Sequence, residues 1–390
     1  MNFFSTNFTL GILGGGQLGK MLLQETLKYD IRTAVLDPSA EAPARFACHS
    51  FEQGNLLDYD TVYQFGKKAD LLTFEIENIN VDALEQLERE GVRIYPTPKS
   101  LRMIQDKGLQ KEFYKERQIP TAPFEHFSST ELLQKAVTEG RWSFPFVWKS
   151  TRFGYDGNGV KIVRNAQDIA SLPQGPCIAE VCADIDKELA VIVARSPKGE
   201  TTTYPVVEME FHPEANQVEY VLCPARISES ISQQAQALAL EVAKAFESIG
   251  LLAVELFLTQ SGEIWVNEVA PRPHNSGHYS IEASYTNQFE QHLRAILDLP
   301  LGNSESKVAG VMVNLVGEEG YTGDVLYENI EQVMALPGVT PHIYGKRQTR
   351  PFRKMGHITV VNPHIEEARA IAQKVKETIR VISKIGRKAL

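Results

Sequence analysis

Residues 255–278 read Glu255-Leu-Phe-Leu-Thr-Gln-Ser-Gly-Glu-Ile-Trp-Val-Asn-Glu-Val-Ala-Pro-Arg-Pro-His-Asn-Ser-Gly-His278. Two apolar runs, Leu251–Thr259 and Glu263–Val269, flank the pair Ser261-Gly262, and such a pair between strands is typical of a hairpin turn. The stretch therefore predicts two antiparallel strands joined by a two-residue turn, followed by a loop of Pro, Gly and polar residues.

A two-residue turn places Glu255 directly opposite Glu268. Opposed residues have Cβ atoms roughly 4.5–5.5 Å apart, and like charges placed so are destabilising. Two carboxylates in apolar strands therefore predict a cation between them, and oxygen donors suit Mg²⁺ shared with phosphates. A one-residue register shift would instead send the side chains to opposite faces, with one or both in solvent. The loop that follows favours a site because of its polar residues, Arg272, His274, Asn275 and His278.

Composition predicts an ordinary globular protein of two or three domains, since 390 residues include 43% hydrophobic and 23% charged ones. The net charge of −9 argues against a nucleic-acid binder, which usually carries a basic face. No apolar run approaches the roughly 20 residues that span a membrane, and no signal peptide is apparent. The four cysteines lack zinc spacing. We therefore expect a cytoplasmic protein.

The N-terminal region alternates strand and helix, which predicts a parallel α/β domain over residues 1–98. Its first loop carries Gly14, Gly16 and Gly19, with an acid about 20 residues on at Asp37, a spacing typical of phosphate approach to a helix N-terminus. Glu75 follows the strand predicted at Asp70–Phe74, where open α/β sheets bind ligands. Glu75 could equally be a solvated loop acid.

A glycine-rich lid is predicted after the buried strand that ends in Lys149. The segment 154–160, Gly-Tyr-Asp-Gly-Asn-Gly-Val, lacks the Gly-Lys-Ser/Thr ending of a Walker loop and favours a hairpin. A lysine at a strand end beside such a lid is placed to meet phosphate. A helix is predicted before this strand, over Lys99–Arg117.

A basic segment near the C-terminus carries five cations within residues 346–354. In an acidic protein this density predicts a phosphate site, with arginine supplying a bidentate fork. A strand at Ile358–Val361 and a helix at Ile365–Ile382 are predicted to complete a small terminal unit.

Together these features resemble the ATP-grasp superfamily and, within it, the N5-carboxyaminoimidazole ribonucleotide synthase family. Five segments in family order carry the resemblance, residues 14–19, 73–78, 154–159, 267–278 and 353–357. The implied class is α/β (α+β overall), with a Rossmann-like parallel domain, an ATP-grasp fold of two α+β subdomains and a small C-terminal α/β unit. The expected boundaries are 1–98, 99–189, 190–320 and 321–390.

The resemblance implies an ATP site. Lys107 and Lys149 would contact phosphates, and Glu188 would hold the ribose. The lid over the phosphates would comprise Gly154, Tyr155, Asp156, Gly157, Asn158, Gly159 and Val160. The adenine would meet Glu180, Val181, Cys182 and Ala183, and His212, Asn267 and Glu268 would complete the nucleotide site. Glu255 and Glu268 would hold Mg²⁺. Asn158 and Val160 depart from the family, which more often has a basic residue and glutamine there.

The resemblance also implies a second substrate, 5-aminoimidazole ribonucleotide, and bicarbonate. The ribonucleotide would meet Gln17, Leu18, Glu75, Tyr155, Asp156 and Asn275, and its phosphate would meet Lys346, Arg353 and Lys354. Arg272 and His274 would lie near bicarbonate. The residues implied in catalysis are Arg272, His274, Lys149, Asn275 and Lys346. The family further implies a homodimer, with small molecules rather than nucleic acid or membrane as partners.

Three alternatives remain open. A nicotinamide-dependent dehydrogenase would explain the glycine loop and Asp37, but it would leave the lid, the acid pair and the basic segment without a role. A catalytically silent nucleotide-binding module would not require both acids and both lysines. Another ATP-grasp ligase, such as the formate-dependent glycinamide ribonucleotide transformylase, would use the same nucleotide site with a different second substrate.

Overall fold

The computed structural model describes residues 3–152, 159–212 and 217–384. Its N-terminal domain contains a parallel sheet, which the alternation of strands and helices predicted. The order of its strands is β3-β2-β1-β4-β5. Its elements are β1 (Thr9–Leu13), α1 (Gln17–Lys28), β2 (Arg32–Asp37), β3 (Ser50–Gln53), α2 (Tyr59–Gly66), β4 (Leu71–Phe74), α3 (Val81–Arg89) and β5 (Arg93–Ile94). The strand β3 was not predicted, because its sequence Ser-Phe-Glu-Gln is only half-buried at the sheet edge.

The helix predicted over Lys99–Arg117 is wrong as a single helix. It is broken into α4 (Pro98–Ile104) and α5 (Lys107–Glu116). The Asp106 side chain accepts hydrogen bonds from the backbone N–H groups of Gly108 and Leu109, which starts a new helix at this point. Lys107 is consequently the first residue of α5 rather than a mid-helix residue.

A four-stranded antiparallel sheet follows, in the order β6-β9-β7-β8. Its elements are β6 (Phe124–Phe127), α6 (Thr130–Thr138), β7 (Phe146–Ser150), β8 (Val160–Val163), α7 (Ala166–Ala170) and β9 (Cys177–Val181). Lys149 pairs with Val160 across β7 and β8, so the two strands bracket the predicted lid. Residues 154–158 of that lid lie outside the described residues.

The central part of the chain contributes most of a large antiparallel sheet. Its elements are β10 (Ile185–Arg195), β11 (Thr201–Thr203), β12 (Val207–Phe211), β13 (Val218–Cys223), α8 (Glu229–Phe246), β14 (Gly250–Thr259), β15 (Ile264–Ala270), α9 (Ser280–Ala283), α10 (Gln288–Ile296) and β16 (Ala309–Val316). The apolar pattern of residues 281–297 predicts one helix, but the chain forms α9 and α10 there, because the Asn287 side chain caps α10 by accepting hydrogen bonds from the backbone N–H groups of Phe289 and Glu290.

The last part of the chain joins the same sheet. Its elements are β17 (Gly323–Glu328), α11 (Ile330–Met334), β18 (Val339–Ile343), β19 (Gln348–Thr349), β20 (Lys354–Asn362), α12 (Ile365–Thr378) and β21 (Arg380–Ser383). The sheet order is β15-β14-β10-β12-β13-β16-β20-β18, with β11 beside β10, and β19-β17-β21 form a separate sheet. The predicted helix Ile365–Ile382 is too long, since it ends at Thr378. The boundary expected at residue 320 stays a prediction.

The β14–β15 hairpin differs from the prediction at its turn and agrees with it at the acid pair. Thr259 and Glu263 are hydrogen-bonded across the turn, so three residues close the hairpin, with Gly262 at φ +85°. A two-residue turn was therefore wrong. Further along, the register shifts by one residue between Glu255 and Leu256. This bulge adds Asn267 to β15 and restores the predicted pairing of Glu255 with Glu268.

Helix α10 joins the N-terminal domain to the central sheet. Its apolar residues lie in one buried cluster with residues of β1 and α1, among them Leu10, Leu22 and Leu293. His292 bonds in both directions, to Thr73 Oγ1 at 2.8 Å and to the backbone N–H of Leu251 at 3.2 Å. Across the described ranges, no helix has the length and apolar character to cross a membrane.

Candidate active site

The acid pair lies beside a lysine. The Lys107 ammonium group contacts the Glu268 carboxylate. This charge holds the pKa of Glu268 well below its usual range. The side chain of Glu255 faces the His274 ring, with Oε1 3.3 Å from Nε2. Both opposed carboxylates therefore have a nitrogen partner, while the cation predicted between them stays a prediction.

The bulge in β15 gives the site an additional side chain. In a regular strand, neighbouring residues point to opposite faces. The extra residue allows Asn267 and Glu268 to reach adjacent lysines: Asn267 Oδ1 accepts from Lys149 Nζ at 3.0 Å, while Glu268 contacts Lys107. The bulge thus re-aims a side chain at the site, a common use of this irregularity.

A buried row of charges runs inward from Lys149. Glu180 lies between two lysines, 2.8 Å from Lys149 Nζ and 3.0 Å from Lys111 Nζ. All three side chains are buried. Burial alone would raise the pKa of Glu180, but the two ammonium groups bring it below its usual range. Burial lowers the pKa of Lys111 to about 8. Removing one member would leave an uncompensated buried charge.

Lys111 was not predicted as a site residue, although the sequence contains a signal for it. It follows Lys107 by four residues on α5, and residues four apart lie on the same helix face. Once Lys107 was assigned to phosphate, that spacing placed Lys111 towards the same site. The pairing of Lys111 with Glu180 on β9 was not predicted, because the two residues come from distant segments of the chain.

Glu188 lies on β10, next to β14 of the acid hairpin. It pairs with Phe257 while Ala190 pairs with Glu255, so the two glutamates lie on one face of the sheet. Burial and then the charges of Glu255 and Glu268 raise the pKa of Glu188 to about 7. The site therefore concentrates negative charge on one sheet face.

The loop after β15 connects the acid pair to the N-terminal domain. Arg272 forms an ion pair with Glu77, at 2.8 Å. The His274 ring is held at its other nitrogen, since Nδ1 lies 2.9 Å from Ser276 Oγ and accepts from the Ser276 backbone N–H at 3.3 Å. Neither Glu77 nor Ser276 was predicted as a site residue, although each lies within a segment that carries the resemblance.

Asn275 is fixed by a second asparagine. Its side-chain N–H donates to Asn314 Oδ1 at 2.9 Å, and Asn314 Nδ2 donates back to Asn275 Oδ1 at 2.9 Å. Asn314 is buried on β16 and also donates to the Val218 carbonyl. The reciprocal pair leaves Asn275 one N–H and one lone pair for other partners.

The glycine loop binds carboxylates of the protein itself. Backbone N–H groups of Gly16 and Gly19 donate to Glu75, at 2.5 and 3.0 Å, and Gly15 donates to Asp37 at 2.7 Å. Burial raises the pKa of Glu75 to about 7 despite these bonds. The groups that would approach a dinucleotide phosphate are thus occupied, which argues against the dehydrogenase alternative. Gln17 and Leu18 begin α1 beside Glu75.

The basic segment brings its cations close together. Lys346 Nζ donates to the Lys354 carbonyl at 2.8 Å, and Arg353 donates to the Gln348 carbonyl at 2.6 Å. Lys346 also lines an open cleft of about 440 Å³ with Arg347, Lys384 and Tyr327. His212 contacts this segment through Phe352, with ring centroids 6.1 Å apart.

Other nucleotide-site predictions fall on the second sheet. Val181 ends β9 and is exposed, and Cys182 and Ala183 follow it half-buried. Gly159 and Val160 lie beside Lys149, because the Ser150 backbone N–H donates to the Gly159 carbonyl. Gly154, Tyr155, Asp156, Gly157 and Asn158 lie outside the described residues.

The donor set fits Mg²⁺ only in part. Oxygen ligands from Glu255, Glu268 and Asn267 suit a hard cation. Within the described part of the chain, no group of three or more His, Cys, Asp or Glu side chains is arranged to hold a metal. An ion at the acid pair would therefore need oxygens from a bound phosphate.

Three regions of the chain match known domain families, in the order that the resemblance implied. The ribonucleotide synthetase preATP-grasp domain matches residues 8–105, the ATP-grasp domain residues 112–289, and the phosphoribosylaminoimidazole carboxylase C-terminal domain residues 310–371.

Known proteins resemble the chain over most of its length. The phosphoribosylaminoimidazole carboxylase of Saccharomyces cerevisiae is 38% identical over 375 residues, which cover 92% of this chain and 64% of that protein. The N5-carboxyaminoimidazole ribonucleotide synthetase of Thermotoga maritima is 42% identical with a TM-score of 0.89, covering 97% and 100% of the two chains. The Aspergillus clavatus enzyme in complex with ADP and 5-aminoimidazole ribonucleotide is 34% identical, with a TM-score of 0.86 and coverage of 95% and 98%.

Proposed function

The chain belongs to the N5-carboxyaminoimidazole ribonucleotide synthase family of ATP-grasp proteins, and we propose that it shares their activity. The proposed reaction carboxylates the amino group of 5-aminoimidazole ribonucleotide with bicarbonate and converts ATP to ADP and phosphate, a step of purine biosynthesis. The proposal rests on one observation. Lys107 contacts Glu268, Lys149 contacts the neighbouring Asn267, and His274 contacts Glu255, so two lysines and the acid pair meet beside the loop that carries His274.

The nucleotide would lie between the four-stranded and the large sheet. Lys107 reaches Glu268 from α5, and Lys149 reaches the neighbouring Asn267 from β7, which supports a role of both ammonium groups in binding the phosphates. The adenine would lie along 180–183, and Glu188 would hold the ribose hydroxyls. The structure of the Aspergillus clavatus relative is a complex with ADP, which supports a nucleotide as a ligand of this chain.

We assign a Mg²⁺ ion to Glu255, Glu268 and Asn267, together with ATP phosphate oxygens. When bound, such an ion neutralises charge on the transferring phosphoryl group. Lys107 now contacts the carboxylate that the ion would share. The ammonium group would therefore move from Glu268 to a phosphate as the metal and nucleotide bind together.

The chemistry proceeds in two proposed steps. A bicarbonate oxygen attacks the γ-phosphorus, the bond to the ADP oxygen breaks, and carboxyphosphate forms. The substrate amine then takes the carboxyl carbon, phosphate leaves, and the amine loses one proton. Arg272 and His274 would orient bicarbonate, and the ammonium groups of Lys149 and Lys107 would stabilise charge on the phosphoryl group. The lid would exclude water from carboxyphosphate.

The ribonucleotide would lie against the N-terminal domain. Its base and ribose would meet residues 17–18, Glu75 and Asn275, with Tyr155 and Asp156 closing from the lid. Its 5′-phosphate would meet Lys346, Arg353 and Lys354, whose arrangement supplies positive charge close to β18 and β20. The homodimer stays a prediction from the family, and the cytoplasmic location stays a prediction from the sequence.

A substrate-dependence assay tests the proposal. ADP release by the purified protein should require both 5-aminoimidazole ribonucleotide and bicarbonate. ADP release that ignores this ribonucleotide but rises with glycinamide ribonucleotide and formate would assign the chain to the transformylase instead. A protein that binds ATP without turnover in either mixture would be a silent nucleotide-binding module.

A further inference from the structure

Helix α10 begins with a buried glutamine that holds the backbone of His274 on both sides. Gln288 Oε1 accepts from the His274 N–H at 2.8 Å, and Gln288 Nε2 donates to the His274 carbonyl at 2.8 Å. The second N–H of the same amide donates to His278 Nδ1 at 2.9 Å. We propose that Gln288 is the positioning residue that sets His274 against Glu255.

The fit around Gln288 is tight. Its side chain is fully buried, and its backbone N–H donates to Ser280 Oγ, which in turn donates to the Gly277 carbonyl. A Cβ atom at Gly277 would lie 2.5 Å from Gln288 Oε1, so only glycine fits at this position. Residues 274–280 therefore surround the side-chain amide of Gln288. Gly277, in the Asn-Ser-Gly-His motif of this loop, has no side chain that would collide with that amide.

The clamp leaves the His274 ring little freedom. The backbone is held by Gln288 and ring Nδ1 by Ser276, so ring Nε2 can point only towards Glu255. Since Nδ1 accepts from a backbone N–H, the neutral ring carries its proton on Nε2. Gln288 itself lies behind the loop, where it contacts His274 and His278 rather than the acid pair.

The consequence for activity rests on the proposed function. If His274 orients bicarbonate, a displaced loop lowers the rate of the bicarbonate-dependent step while the nucleotide site is unchanged. A misplacement of about 1 Å can cost about 100-fold in rate. The expected signature is a loss in kcat/KM for bicarbonate without a change in the Kd for ATP.

The same helix offers a matched control. Gln291 is equally buried and clamps a different backbone, accepting from the Gly302 N–H at 2.8 Å and donating to the Gly302 carbonyl at 2.9 Å. Gly302 lies in the loop before β16, and Gln291 makes no hydrogen bond to residues 272–278 among those described. Gln291→Met thus removes the same kind of clamp at the same depth.

The experiment compares Gln288→Met with Gln291→Met in the full chain. We expect a similar loss of Tm in both, and a fall of about 10- to 100-fold in kcat/KM for bicarbonate in Gln288→Met alone. Equal kinetic losses in the two variants, or wild-type kinetics in Gln288→Met, would overturn the proposal. If Gln288→Met does not fold, Gln288→Glu serves instead, because it keeps the acceptor and the size but loses both donors when ionised.

A spectroscopic measurement separates this proposal from the proposed function. In protein labelled with ¹⁵N-histidine, the ring signals of His274 and His278 should move in Gln288→Met and stay in place in Gln291→Met. Unmoved signals would refute the clamp even if the enzyme assay succeeds. Moved signals in a protein that does not carboxylate the ribonucleotide would support the clamp and reject the assigned reaction.

Discussion

The carboxylate of Glu268 has two roles, one in the structure and one in the proposed cycle. In the structure it accepts the Lys107 ammonium group, and in the proposed cycle it binds a metal ion. Charge pairing with Lys107 lowers the pKa of Glu268 and so keeps this carboxylate ionised without a metal. The cost of opening that pair would be offset only when phosphate arrives to receive Lys107.

We expect Glu268→Gln to lower kcat by at least about 100-fold, because an amide cannot supply the charge that holds both Lys107 and the metal. The variant should fold, since glutamine conserves size. Glu263→Gln is the control, because it removes an exposed carboxylate from the same hairpin. Near-normal steady-state turnover in Glu268→Gln would remove this residue from the metal site.

Glu75 should make stability depend on pH. Its folded-state pKa of about 7 exceeds the usual value of 4.5, so between these values the folded protein holds more protons than the unfolded one. The free energy of unfolding therefore falls as pH rises through that window, by at most about 1.4 kcal/mol per pH unit from this group. Its contribution is fully present only below the unfolded pKa.

The measurement is urea unfolding of wild type and Glu75→Gln at several pH values from about 4.5 to 7.5. The variant should gain stability relative to wild type as pH rises, because glutamine does not titrate. Glu116→Gln, at an exposed position on α5, should keep a constant difference from wild type. A constant difference for Glu75→Gln as well would contradict the raised pKa.

Residue types could be predicted at the site more readily than residue contacts. The pairing of Glu255 with Glu268 was predicted from apolar runs and a two-residue turn, but the turn has three residues, and the pairing holds because the bulge at Asn267 offsets the extra one. The like charges predicted a cation. That the partners are Lys107 and His274 did not follow, because side chains from distant segments meet only in the folded chain. Gln288 gave no signal, since a glutamine at the start of a helix is ordinary.

At the level of elements, the start of α5 controls where Lys107 lies. The Asp106 side chain caps this helix and also pairs with Arg152, at 2.9 Å, next to the lid. A weakened cap would allow the first turn, which carries Lys107, to fray.

We expect Asp106→Ala to lower the free energy of unfolding by about 1 kcal/mol, as for other caps, and to raise the KM for ATP. Asn80→Ala, which removes the cap of α3 in the N-terminal domain, should cost a similar free energy and leave the KM for ATP unchanged. The two variants are compared by urea unfolding and by steady-state kinetics. Equal KM values would show that the cap serves stability alone.

Helices and strands with a clear period of apolar residues were predicted from the sequence. The residues at which they begin and end were not. The strands and helices of the N-terminal domain follow the alternation of apolar runs. The breaks before α5 and α10 occur at Asp106 and Asn287, polar caps inside segments whose apolar period continues on both sides. An Asp or Asn residue inside such a segment can be either a helix cap or an ordinary polar residue of a longer helix. Which of the two it is depends on the path of the chain in the tertiary structure.

At the scale of the whole molecule, α10 connects units that the sequence suggested were separate domains. Leu293 is fully buried in a cluster that includes residues of β1, while His292 bonds to both β4 and β14. The N-terminal domain and the large sheet should therefore unfold together.

We expect Leu293→Ala to cost about 2–5 kcal/mol and to shift the unfolding transition monitored by circular dichroism to lower urea concentration as a single step. Leu133→Ala is the matched control, because it creates a cavity of similar origin in the four-stranded sheet unit, beside Trp142 and Trp148. That variant should shift the fluorescence transition more than the dichroism. A Leu293→Ala transition that splits would contradict the coupling.

The bulge at Asn267 has a consequence at the level of the gene. The strand pairing is offset by one residue across Asn267, because Leu256 pairs with Val266 and Glu255 pairs with Glu268. In-frame loss of the Asn267 codon would therefore give a hairpin without a bulge, in which Glu268 still pairs with Glu255. Such a deletion should be tolerated by the fold, and it should weaken ATP binding as much as Asn267→Ala does. Calorimetric titration of both variants checks this, and a deletion variant that fails to fold would show that the irregular strand is required.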